Sequence, residues 1–200
     1  MLLQIYAPFH LPSPNFPSNP KHSNLVVIEM DEEIIDITLR PIEISDADDF
    51  MSWATDEKVS RFCTWDTYTC KNQALEFLST NAIPHPWFKA ICISNKAIGS
   101  ISVTPNSGTR AELGYVLAYK YWGKGIVTNA VKMVTSIIFS EWPNLERLEA
   151  LVDVDNTGSQ RVLEKASFFK EGVLRKYVVL KGRSRDMNER KDFVKRVLAS

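Results

Sequence analysis

The sequence predicts one mixed α/β domain whose central strands form an antiparallel meander. Three strand-like apolar segments follow one another between residues 87 and 117, with turn residues between them. The apolar spacing then changes to every third or fourth residue over 125–140, which predicts a helix. Alternation returns at 148–154 and predicts a further strand. The resulting order, β-α-α-β-β-β-α-β-α-β-β, differs from the regular strand–helix alternation of a Rossmann fold.

Size, charge and cysteine content narrow the class of protein. A chain of 200 residues and 22.8 kDa fits one domain, or one domain with a tail. Its 24 basic and 24 acidic residues balance, which argues against dominant nucleic-acid binding. No apolar run approaches the ~20 residues of a membrane-spanning helix. Three cysteines without a CxxC pair favour a reducing, cytoplasmic location, and the three scattered histidines predict no metal site.

The N-terminal segment differs from the rest in composition. Five of the ten prolines lie within the first twenty residues, and proline resists both helix and central strand. We therefore assign residues 1–33 to a Pro-rich irregular extension and residues 34–200 to the folded domain. A secretory signal is not expected, because the segment lacks a basic start. Organelle targeting stays open, since the first twenty residues have serines and no acidic residue, but they also lack arginine.

The first elements of the domain are a short strand and two helices. Residues 37–40 alternate in polarity and stop at Pro41, as a short strand does. Ser45 and the acidic residues after it mark the start of a helix. An aromatic-containing linker is predicted at 56–69, and Thr69 is predicted to cap the second helix.

The remaining elements are predicted in the same way, from the spacing of apolar residues and from the turn residues between them. The three meander strands are predicted at 87–93, 97–103 and 111–117. After the helix and strand named above, a short helix is predicted around Leu163. Two or three C-terminal strands are predicted at 168–174, 177–180 and 191–197, around a basic loop at 181–190.

A glycine-containing loop, Tyr121–Thr128, lies between the third meander strand and the longest helix. A helix start offers free N–H groups and a positive dipole end, so it can hold an anion. Gly123 and Gly125 let the backbone approach a phosphate closely, and Lys124 adds a positive charge. The loop lacks the third glycine of a dinucleotide-binding motif and does not fit a P-loop. The alternative is a sharp turn without a ligand.

Further features support a binding site near this loop. Gly114 inside a predicted strand suggests a bulge or a close backbone approach. Asn156 and Ser159 follow the 148–154 strand, three residues apart, at the start of a short helix. The alternative for Asn156 is a simple helix cap.

In this order, the segments resemble the GNAT superfamily of acetyl-CoA-dependent N-acetyltransferases over about residues 36–197. They are most similar to its ribosomal-protein N-terminal (RimJ/RimL-like) branch in the segments 37–41, 59–65, 112–115 and 121–125. The resemblance implies a mixed, mostly antiparallel sheet of six to seven strands with four flanking helices. It also implies a V-shaped splay between the central strands.

Three positions depart from the family pattern. Val127 stands where glycine or alanine is usual, and its side chain is expected to crowd the cofactor phosphates. Ser167 stands where the family generally has glycine. Leu163 replaces a tyrosine that many members use as general acid, so that role does not transfer.

The resemblance implies an acetyl-CoA site with the pyrophosphate at residues 123–128. Its residues are Val116, Leu117, Trp122, Gly123, Lys124, Gly125, Ile126, Val127, Thr128, Asn156 and Ser159. A backbone N–H near Val116 is expected to bind the acetyl carbonyl and its oxyanion. Glu112, on the same strand face, is the candidate base, with an exposed structural glutamate as the alternative. Ser159 is the candidate acid for the leaving thiolate, and Asn156 is expected to hold the pantetheine arm.

The acceptor is less strongly specified than the cofactor. The branch implies a protein N-terminal α-amine, and a polyamine or another small amine is the alternative. A third reading, a non-catalytic acyl-CoA-binding regulatory module, is supported by Val127 and Leu163. The linker at 56–69 and the basic residues 181–185 are expected to border the acceptor cleft. The oligomeric state is left open.

Overall fold

The computed structural model describes residues 24–30 and 33–193, which build one eight-stranded sheet with helices on both faces. The strands are β1 (Asn24–Met30), β2 (Glu33–Pro41), β3 (Phe88–Ile93), β4 (Lys96–Pro105), β5 (Arg110–Leu117), β6 (Arg147–Asp153), β7 (Phe169–Leu180) and β8 (Arg183–Phe193). The helices are α1 (Ala47–Ala54), α2 (Glu57–Ser60), α3 (Lys71–Phe77), α4 (Ile126–Glu141) and α5 (Thr157–Lys165). In the order β1-β2-β3-β4-β5-β6-β8-β7, the one parallel neighbour pair is β5–β6. The predicted mixed, mostly antiparallel sheet is confirmed.

The sheet buries a separate apolar cluster on each face. Because strand side chains alternate, Tyr115 and Leu117 of β5 pack into the cluster that contains α4, while Val116 packs into the cluster that contains α1 and α3. The apolar residues of α4 recur at helical spacing, as Ile126 and Ala130 do, so one side of that helix faces the sheet.

Strands β5 and β6 separate near their middle. Their parallel pairing covers only Arg110–Glu112 against Arg147–Glu149, although β5 continues to Leu117 and β6 to Asp153. Beyond Glu112, the β6-facing edge of β5 therefore has no strand partner among the described residues. This is the splay that the resemblance implied.

The predicted basic loop at 181–190 is wrong. Lys181 and Gly182 alone make the turn, with φ of 49° and 74°, which suits a two-residue hairpin turn. Residues 183–193 form strand β8 instead of a loop. The charge-rich sequence of β8 is typical of a loop, but three of its charged side chains are paired: Arg190 with Glu164, Lys191 with Glu171 and Arg185 with Asp153.

The irregular extension predicted for residues 1–33 reaches too far along the chain. Residues 24–30 form β1, which pairs antiparallel with β2 and brings the sheet to eight strands. Residues 1–23, 31–32 and 194–200 lie outside the described part, as does the end of the strand predicted at 191–197. No helix within the described residues is long and apolar enough to cross a membrane.

The linker and the second helix also differ in detail from the prediction. Residues 57–60 of the linker form α2, whose first turn is capped by Asp56 through a 2.8 Å bond from the Lys58 N–H. The second predicted helix corresponds to α3, whose N-cap is Cys70 instead of Thr69. The side chain of Gln73 accepts hydrogen bonds from the backbone N–H groups of Thr69 and Cys70.

Gly99 of β4 carries a packing constraint that the sequence did not reveal. A Cβ at this position would lie 2.3 Å from the carbonyl oxygen of Val116 on β5. We expect Gly99→Ala to destabilise the protein by about 1–3 kcal/mol, because backbone atoms must move to make room. Gly172→Ala is the matched control, since nothing lies within 4 Å of its Cβ position. Urea unfolding measures both, and equal stability of the two variants would contradict the close approach.

Candidate active site

A cleft of about 530 Å³ opens between the N-termini of α4 and α5, on the α4 face of the sheet. Strand β5 leads into the first of these helix starts, and β6 leads into the second. Its lining comprises Arg61, Phe62, Tyr115, Leu117, Tyr121, Trp122, Gly123, Gly125, Ile126, Val127, Thr128, Asp155, Asn156, Thr157, Gly158, Ser159, Arg161, Val162 and Lys165. Two helix starts facing one cleft provide N–H groups and positive dipole ends for an anionic ligand.

The glycine loop at the start of α4 is open to this cleft. Gly123 and Gly125 have φ of 77° and 73°, in the left-handed region that favours glycine. Nothing lies within 4 Å of either Cβ position, so a ligand can approach the backbone. Trp122 ties the loop to the strand, since its Nε1 donates to the carbonyl of Leu117 at 2.8 Å.

Asn156 and Ser159 meet at the start of α5, and both line the cleft. The side chain of Asn156 accepts a hydrogen bond from the Ser159 N–H at 3.2 Å, so the capping role considered for Asn156 is present. Ser159 is buried, and its carbonyl accepts from the hydroxyl of Tyr115 at 3.3 Å. Burial raises the pKa of Tyr115, which keeps this donor protonated.

Val116 and Lys124 do not line the cleft. The Ala118 N–H donates to the Ile98 carbonyl, and the Arg110 carbonyl accepts from Asn106, so even-numbered residues of β5 turn their backbone groups toward β4. By alternation, the groups of Tyr115 and Leu117 face the splay. The N–H expected at Val116 is therefore corrected to its two neighbours, and the Val116 side chain is buried on the opposite face.

Glu112 lies on the opposite face of the sheet from the cleft lining of β5. It is half-buried, which differs from the exposed glutamate considered as the alternative. Its partner in the last parallel pair before the splay is Glu149. Burial, together with the charge of Glu149, raises the pKa of Glu112 to about 8.

The linker contributes residues to both faces of the sheet. Arg61 and Phe62 line the cleft on the α4 face, whereas Trp65 and Tyr68 pack on the α1 cluster. The β7–β8 turn reaches the linker through Lys181, whose Nζ lies 3.5 Å from a carboxylate oxygen of Asp66.

Sequence reasoning missed several residues of the cleft. Tyr115 and the linker residue Arg61 gave no separate signal in the sequence. Arg161 and Lys165 are spaced four apart, one helical turn, directly after the Asn156 cap, and that spacing could have been used. Both carry positive charge at the cleft, which favours an anionic ligand.

Val127 lines the cleft and also packs partly against the α4 cluster. We expect Val127→Ala to leave acetyl-CoA affinity unchanged or slightly higher, because a smaller side chain frees space beside the glycine loop. Lost packing should lower the free energy of unfolding by about 1 kcal/mol. Calorimetric titration and urea unfolding separate these effects, and a large loss of affinity would show that Val127 is a required contact.

Comparison with known proteins places this architecture in a family. Residues 36–168 match the model described as an acetyltransferase (GNAT) domain. The uncharacterised N-acetyltransferase p20 of Bacillus licheniformis is 32% identical over 159 residues, which cover 76% of this chain and 89% of that protein.

Solved structures show the same fold. A GNAT-family acetyltransferase from Bacillus anthracis aligns with a TM-score of 0.72 and 22% identity, over 84% of this chain and 98% of that one. The ribosomal L7/L12 α-N-protein acetyltransferase RimL aligns with a TM-score of 0.69 and 19% identity, over 85% and 95% of the two chains. The glycine loop, the splay and the family match together establish that the chain belongs to the GNAT family of acetyl-CoA-dependent N-acetyltransferases.

Proposed function

We propose that this enzyme acetylates a protein N-terminal α-amine by direct attack on acetyl-CoA in a ternary complex. The observation that carries the proposal is the splay itself. The sheet has a cleft with anion-binding groups on one face and Glu112 on the other, and the splay opens a gap between the two. An acceptor entering from the Glu112 face would meet the acetyl group in the gap between β5 and β6.

The cofactor side of the mechanism rests on backbone groups. The N–H groups of residues 123–128 would hold the pyrophosphate at the positive end of α4, and Arg161 and Lys165 add positive charge. When bound, acetyl-CoA supplies an activated thioester. The N–H groups of Tyr115 and Leu117 face the splay and would stabilise negative charge on the acetyl oxygen.

The acceptor side needs a base, because an attacking amine must be neutral. Glu112 would remove the proton, and its raised pKa makes it a stronger base than an isolated glutamate. Ser159 lines the cleft beside the α5 start and would donate its hydroxyl proton to the leaving thiolate while it takes a proton from water.

The choice of a protein N-terminus draws on two sources. The motifs resemble the ribosomal-protein branch, and RimL, which shares the fold, is an α-N-protein acetyltransferase by name. A polyamine is the second candidate, because the negative charges of Glu112, Glu149 and Glu189 would attract a polycation. Burial, and after it these three carboxylates, raise the pKa of Tyr177. An unpaired basic residue beside the acceptor would repel a polycation, but Arg185 is paired with Asp153 and Asp155.

Thiol release from acetyl-CoA with a panel of amines tests the proposal. We expect release with peptides that carry a free N-terminus, and slower release with spermidine. Faster turnover of spermidine would favour the second candidate. A thermal shift with acetyl-CoA but no thiol release with any amine would instead indicate a binding module.

A further inference from the structure

The last parallel pair before the splay places two glutamates side by side. Glu112 and Glu149 are register partners on β5 and β6, so their Cα atoms are separated by about the 4.8 Å spacing of adjacent strands. Both side chains point to the same face. Adjacent carboxyl groups in a buried setting do not both ionise readily, so their surroundings decide which one keeps a proton.

Donor groups surround the carboxylate of Glu149. Its carboxylate accepts from Asn106 Nδ2 at 3.0 Å and from Arg147 Nε at 3.1 Å, and Arg110 Nη1 lies 4.0 Å away. Glu149 is itself only 6% exposed. Charge-assisted hydrogen bonds of this kind stabilise a carboxylate.

No described residue donates a comparable hydrogen bond to the carboxyl of Glu112. On β4, its cross-strand neighbour Thr104 is bonded to His85 at 3.1 Å, and burial lowers the pKa of His85 to about 4, so this neighbour brings no positive charge. The other ionisable groups on this side are Arg110, Arg147, Tyr177, Glu189, Lys191 and Glu171. Lys191 is the register partner of Glu149 on β8, and its charge is paired with Glu171 and Glu189. The two arginines are engaged by Glu149, and Arg147 also bonds Glu189 at 3.0 Å.

We propose that Glu149 is a positioning residue that sets the pH range of acetyl transfer through its charge on Glu112. The inference rests on the proposed role of Glu112 as base. Burial of Glu112 keeps a proton on its carboxyl at neutral pH, and the negative charge of Glu149 moves its ionisation further toward alkaline pH. Glu112 then takes the amine proton as a stronger base, but only where it is ionised.

The test compares pH profiles of kcat/KM for the wild type, Glu149→Gln and Glu189→Gln, all with saturating acetyl-CoA and one peptide acceptor. Glutamine keeps the size of the side chain and still accepts from Asn106. Glu189→Gln is the matched control, because it also removes a carboxylate that bonds Arg147. Unlike Glu149, Glu189 does not contribute to the raised pKa of Glu112. The ionisation of the acceptor contributes equally to every profile.

We expect the acid limb of Glu149→Gln to move down by about one pH unit, and that of Glu189→Gln to superimpose on the wild type. An equal fall in rate at every pH without a shift would mean that Glu149 is merely structural, and would overturn the proposal. Equal shifts in both variants would also overturn it, because the effect would then belong to the arginine network.

Infrared titration of the Glu112 carboxyl separates this inference from the base assignment. Difference spectra of the wild type and Glu112→Gln, without acceptor, identify the Glu112 band. We expect that band to titrate near neutral or alkaline pH in the wild type, and lower in Glu149→Gln. Titration near pH 4 in the wild type would overturn the inference even if Glu149→Gln failed to fold. A shifted band with unchanged rates in Glu112→Gln would instead reject only the base role.

Discussion

Turnover of Glu112→Gln at neutral pH is expected to be roughly 10²–10⁴-fold lower than that of the wild type, the usual effect of losing a general base. Glutamine keeps the size and polarity of the side chain but cannot take the amine proton. Wild-type activity should rise through pH 8, because Glu112 is active when ionised and its pKa is raised to about 8. At higher pH the variant should recover much of its loss, since more of the amine is already neutral.

Cofactor binding supplies the internal control for this variant. Glu112 lies on the opposite face of the sheet from the cleft lining, so acetyl-CoA should stabilise the variant and the wild type equally. A rate that falls by the same factor at every pH would indicate that Glu112 positions the acceptor. Overlapping profiles for the two proteins would remove it from the mechanism.

Gly125→Asp is expected to abolish measurable acetyl-CoA binding while the domain stays folded. The residue begins α4 with φ of 73°, and its Cβ position is open toward the cleft. Asparagine and aspartate both tolerate this left-handed region better than other side chains, so Gly125→Asn is a control of almost the same shape. A carboxylate about 5 Å from a phosphate should weaken binding roughly 100-fold relative to asparagine.

Calorimetric titration with acetyl-CoA at two salt concentrations measures this difference. We expect the gap between the two variants to narrow at high salt, because screening weakens the repulsion. Equal affinities for Gly125→Asp and Gly125→Asn would show that the pyrophosphate does not lie at this helix start.

The cofactor loop could be predicted because its chemistry is local in sequence. Gly123 and Gly125 precede a strongly periodic helix, and the structure places both in left-handed backbone at the cleft. Ser167 is also informative, since its φ of 68° gives the physical reason for the glycine that the family prefers there. Such positions are visible from single residues and their neighbours.

Other features depend on contacts between distant segments. The close approach of Gly99 to Val116 follows from how β4 and β5 pair. Strand β8 could not be predicted from its charged residues. Arg190 and Lys191 are buried because each has an acidic partner, on α5 and β7 respectively, and such partners are not visible in the local sequence. The N–H groups facing the splay also depend on strand register, which the sequence does not reveal to within one residue.

The measurement that tests the central claim most directly uses two peptides that lack lysine and differ only in their N-terminus, which is free in one and formylated in the other. Each is incubated with the enzyme and acetyl-CoA, and thiol release and peptide mass are followed together. The account predicts one acetyl group on the free α-amine, one thiol released for each, and neither product with the formylated peptide. Equal thiol release with both peptides, or release without any gain in peptide mass, would contradict acetyl transfer to an N-terminal amine.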